Sequence, residues 1–142
     1  MKNSKEILSS VVKTAQMGQV GIRSVLDTSM RPSLRKALES QLREYDSIET
    51  EAHTIASQRG WELQELDPGV RMMTDMMTRM KLHGRNTDSK IADMMIQGNT
   101  KGMVKGLKNL HQFPSSDSQV QMVSQKLLDC ETANIRQMQG FL

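Results

Sequence analysis

The 142-residue sequence predicts an all-α protein, a bundle of four long helices with a shorter helix in the long connection between the second and the third. Three observations carry this. Apolar residues recur every three or four positions along nearly the whole chain, and no segment alternates with period two. Aromatics make up 3% of a chain that is 37% hydrophobic, so the core must be Leu, Ile, Val, Met and Ala, which favours packed helices over sheet. The breaks at Arg31-Pro32 and Pro114 leave short links, whereas the stretch from Gly60 to Thr87 is long. At this length the chain is one domain, residues 1–142.

Ser4 is placed to cap the first helix, predicted over residues 4–29, with Ile7, Leu8, Val11, Val12, Ala15, Ile22, Val25 and Leu26 on its apolar side. Pro32 suits the first turn of the second, over 32–59, where Leu34, Leu38, Leu42, Tyr45, Ile48, Ala52 and Ile55 share a face and Gly60 terminates it. So short a turn sets these two helices antiparallel. Asp67-Pro68 starts a helix over 68–83 that gathers Met72, Met73, Met76, Met77 and Met80 on one face. The third long helix spans 88–112. Ser115, Ser116 and Asp117 offer caps for the fourth, over 116–140.

A helix of ~25 residues is ~37 Å long at 1.5 Å per residue. Residues 60–87 can cover that distance, whereas adjacent antiparallel helices need only a few linking residues. Short link, long crossover, short link is the order of a ferritin-like bundle. With AQMGQVGIRSVL in the first helix and IADMMIQGNTKGM in the third, the chain resembles the ferritin-like superfamily, and more closely uncharacterised bacterial four-helix proteins within it. The resemblance implies the bundle; its iron chemistry must be tested residue by residue.

A di-iron site of that kind takes one Glu from each of two helices and Glu-x-x-His from each of the other two. Thr50, Met80 and Lys108 stand where Glu would precede His53, His83 and His111, so the histidine ligands are absent. The carboxylates are missing too. The first helix holds Gln16 and Gln19 at its middle and the third holds Gln97 and Asn99, neutral amides that bind hard dications weakly.

What remains is a candidate polar centre at the helix midpoints: Gln16, Gln19, Tyr45, Gln97, Asn99, Glu131 and Asn134, with Gln41 the alternative to Tyr45 on the second helix. Leu127, Glu131, Asn134 and Met138 repeat at helical spacing, which puts Glu131 on an inward stripe with amides and the Tyr45 hydroxyl as partners. A small rotation of the last helix would instead turn Leu128, Ile135 and Leu142 inward and leave Glu131 at the rim. Gly98, Gly102 and Gly106 form a smooth stripe, for which the expected compensation is close approach of the first helix at Ala15, Gly18 and Gln19.

Other chemistries are poorly served. GNTKG lacks the spacing of a phosphate loop. The five methionines have the spacing of a core-facing stripe or an exposed partner surface more than of a copper site. Cys130, the one cysteine, has no histidine near it in sequence and reads as a buried inert thiol.

Net charge is +3, with eight basic and four acidic residues between positions 67 and 113. Phe113, Phe141, Tyr45 and Trp61 are too scattered for a base-stacking platform, so no nucleic-acid partner is expected. No apolar run approaches the ~20 residues needed to span a bilayer. The expectation is a cytoplasmic, non-catalytic module without metal or cofactor, associating as a homodimer or with another protein through the methionine face. The alternative is a metal or redox protein with a reduced site around Glu131, Tyr45 and Glu44.

Overall fold

The computed structural model describes residues 3–83, 87–113 and 117–142. Among them are five helices, α1 (Ser4–Leu26), α2 (Pro32–Arg59), α3 (Pro68–Lys81), α4 (Asp88–Gln112) and α5 (Ser118–Gln139), and no strand. Local chemistry sets most of the ends. The α1 cap is Asn3, not Ser4: its Oδ1 accepts the Glu6 N–H at 2.9 Å. α1 stops at Leu26, short of the expected position 29. There the Thr28 hydroxyl donates to the Val25 carbonyl, and the Arg35 guanidinium donates to the carbonyls of Leu26 and Thr28 at 2.8 and 2.9 Å.

Pro32 opens α2, and Gly60 closes it at φ 68°, a left-handed conformation in which a side chain would be strained. Asp67 caps α3 through the Gly69 N–H at 2.7 Å, and α3 ends at Lys81, two residues before the expected boundary. Asp117 caps α5, accepting from Gln119 and Val120. The expected break at Pro114 and the caps at Ser115 and Ser116 lie outside the described residues.

Side-chain contacts fix the directions. Arg31, at the start of α2, pairs with Asp88 at the start of α4 at 2.7 Å, and Arg59, at the end of α2, pairs with Asp117 ahead of α5 at 2.6 Å. The Asn109 amide donates to Ser10 at 3.0 Å and the Gln41 amide to Gln137 at 2.8 Å. α4 therefore runs against α1, and α5 against α2. The connection after α2 follows α1 from Lys13, which donates to Gln64 at 2.9 Å, up to Ser24 and Asp27, which meet Asp75 and Arg79.

α1 touches every other helix. It supplies much of the core, including Leu8, Val12, Ala15 and Val25, which meet Leu34, Leu38, Ile48, Ile91, Val120 and Val123 from its neighbours. α3 is different: it buries no residue. Met72, Met73, Met76, Met77 and Met80 are each more than half exposed, which overturns the reading of the methionine stripe as core. Among the described residues no helix is long and apolar enough to cross a membrane.

Candidate functional site

The centre of the fold is polar, and helix register explains it. On α5, Leu127, Glu131, Asn134 and Met138 all point inward, with Glu131 only 2% exposed. The rotated arrangement is not adopted: Leu128 is buried as well, but Leu142 is exposed. Opposite Glu131, α2 presents Tyr45 and α4 presents Asn99, both buried. The Tyr45 hydroxyl lies 2.9 Å from Asn99 Oδ1 and 2.9 Å from Glu131 Oε2.

A phenol has one proton, so as donor it can satisfy one of these two acceptors at a time. A protonated Glu131 supplies the missing proton: Glu131 donates to Tyr45, and Tyr45 donates to Asn99. An ionised Glu131 would claim the phenol proton, and Asn99 would then have to present its amide nitrogen to Tyr45 instead. Burial favours the neutral acid. Withdrawal from water pushes the Glu131 carboxyl up to about 8, with the Tyr45 hydrogen bond pulling the other way. The Tyr45 phenol is held well above its ordinary value by burial and by the charges of Glu131 and Cys130.

Two glycines make room for this layer. A Cβ on Gly18 would lie 2.6 Å from the Tyr45 ring, and one on Gly102 would lie 2.7 Å from Glu131 Oε1. The glycine stripe of α4 therefore does not serve backbone contact with α1, as the spacing suggests. Gly102 faces a carboxyl and the Thr14 methyl, Gly106 faces Leu128, and Gly98 faces open space.

The remaining predicted residues divide between the centre and other partners. Gln16 and Gln19 are buried, but their amides donate to the two oxygens of Glu49 at 2.9 and 2.8 Å, and Gln16 Oε1 accepts the Leu66 N–H. Asn134 stays at the centre, buried and hydrogen-bonded to Tyr45, and also donates to Cys130 Sγ at 3.5 Å. Gln97 is not in the centre: it is exposed and donates to Asp93 one turn back, because Asn99 takes the inward position on α4. Glu44 is exposed, and Cys130 is a buried thiol whose pKa is raised, first by burial and then by Glu44 and Glu131.

Glu49 is the residue that sequence reasoning missed. Burial raises its pKa, but hydrogen bonds from Gln16, Gln19 and His53 outweigh burial and hold it below the usual carboxylate range. His53 Nε2 lies 3.4 Å from both Glu49 Oε2 and Glu65 Oε1, and the donor atoms of these three residues lie within 4.8 Å of one another. One imidazole and two carboxylates can ligate a dication. The signal was there in the spacing of Glu49 and His53, one helical turn apart rather than three residues. Around Glu131, by contrast, the donors are one carboxylate, a phenol and carboxamides, which do not fit a di-iron centre.

Beside the polar layer is a cavity of about 500 Å³ between α1, α3 and α4. Tyr45, Asn99 and Glu131 form part of its lining. Comparison with protein families, with curated proteins and with solved structures finds no match for the chain.

Proposed function

We propose that this is a ferritin-like four-helix bundle in which a hydrogen-bonded polar layer stands where related proteins hold metal, and that it works in the cytoplasm as a non-catalytic interaction module. Two antiparallel pairs joined by a crossover running the length of α1 support the topology. The observation that carries the reading is Glu131: among the described residues it is the one buried acid, bonded to a phenol rather than to further carboxylates or imidazoles. The exposed methionines of α3 support association, and the partner that suits a self-complementary apolar face is a second copy of the chain.

Elemental analysis of protein purified after growth with iron, manganese and copper tests the centre. The expected result is no stoichiometric metal that depends on Glu131; metal lost on Glu131→Ala would sink the reading. Light scattering tests the association. A dimer that becomes monomeric on Met76→Lys is expected, and an unchanged dimer would remove α3 from the interface.

A second reading has its own support in the cluster of Glu49, His53 and Glu65, whose carboxylate is already oriented by Gln16 and Gln19. In this reading the protein binds a dication away from Glu131. Titration with zinc or manganese should then show one site lost on His53→Ala and retained on Glu131→Gln. Saturation unaffected by His53→Ala would end it.

A further inference from the structure

We propose that the cavity between α1, α3 and α4 binds a single-chain anionic amphiphile, a fatty-acid-like carboxylate, with its head near Lys13, Lys101 and Lys105 and its tail along the methionines toward α3. At about 500 Å³ the cavity is within the range of small-molecule sites. Taking about 30 Å³ per water-sized group, it has room for up to roughly seventeen non-hydrogen atoms.

The two ends of the cavity differ. Gly102 of α4 is level with Thr14 of α1, so Lys13, Lys101 and Lys105 lie around that end of the lining. Because α4 runs against α1, Met94 and Met95 come level with the later turns of α1, where Ile22 and, from α3, Met77 complete an apolar wall. Lys81 is the cation of that upper end. Methionine walls adapt to a flexible chain. Basic residues on the lining bar a cationic head and attract an anionic one.

The lining also includes a residue with an unmet donor. Asn99, 7% exposed, lines the cavity, and its Nδ2 is buried without a hydrogen-bond partner. A buried donor left unmade is destabilising. The volume itself is made by omission: Gly21 and Gly98 both line the cavity, and a Cβ on either meets nothing within 4 Å. Glycine is disfavoured in a helix relative to alanine, and neither position is a turn or a close approach. Retaining space is what remains for them to do.

The test is calorimetric titration of the full chain at pH 7 with dodecanoate and, as control, dodecyltrimethylammonium, both below their micelle concentrations. The proposal expects one saturable site for dodecanoate, at least tenfold tighter than for the cation. Gly98→Leu, or Gly21→Leu as a second filling variant, should weaken dodecanoate at least tenfold without lowering the thermal midpoint. Lys101→Glu combined with Lys13→Glu should weaken it similarly. Non-saturating binding, equal affinity for the cation, or affinity unchanged in a folded filling variant would each overturn the proposal.

Discussion

Glu131 concentrates the physics of this molecule in one side chain. It is a carboxylic acid placed among apolar helices, and its burial raises its pKa to about 8. The native state therefore holds a proton that the unfolded chain, with a Glu near 4.5, has already released across the window between those values. The stabilisation linked to this proton is fully present below pH 4.5 and is lost as pH rises toward 8. Glu131→Gln keeps the shape and removes the titration. In urea melts it should match the parent within about 0.5 kcal/mol near pH 4.5 and exceed it by several kcal/mol, up to about 5, above pH 8.5. Cys130, buried and with its thiol pKa raised, should resist iodoacetamide in the native state and react promptly in urea. Glu131 was readable because its inward stripe repeats at helical spacing. The destination of Gln16 and Gln19 was not, since it depends on how α2 is rotated against α1, which places Glu49 opposite them.

The helices divide into those that build the core and those that shape a surface. α1 carries small residues where other side chains must enter, and Gly18 is the clearest case, with the Tyr45 ring occupying the place of its side chain. Gly18→Ala should destabilise by about 1–3 kcal/mol through overpacking. Gly98→Ala, with open space before it, should stabilise by up to about 1 kcal/mol from helix propensity alone. Paired thermal melts of the two variants separate these effects. The sequence marks both as glycines in helices, and composition cannot tell a glycine that admits a neighbour from one that borders a cavity. The methionines of α3 were ambiguous for a related reason. Periodicity identifies a face, but whether that face is covered depends on where the crossover lies, and here it lies outside α1 with its methionines more than half exposed, Met77 also bordering the cavity.

At the scale of the molecule, connection lengths and apolar spacing were enough to read the helix order and the antiparallel first pair. Helix ends were less legible because carbonyls can be taken by distant groups, as Arg35 does beyond Leu26. α1 contacts every other helix, whereas α3 buries nothing and is held by Ser24–Asp75 and Asp27–Arg79 at its far side. Hydrogen exchange should follow that division: α3 amides exchange by local opening, while those of α1 persist until global unfolding. Comparable protection of α3 and α1 would show that something further covers the outer helix.

The central claim is that Glu131 sits as a neutral acid among these helices, hydrogen-bonded to Tyr45. A carbon-13 NMR titration of the Glu131 carboxyl in the intact, metal-free protein tests it most directly. The account predicts a midpoint near 8, the value its burial implies. A midpoint in the ordinary glutamate range, about 4 to 5, would contradict it.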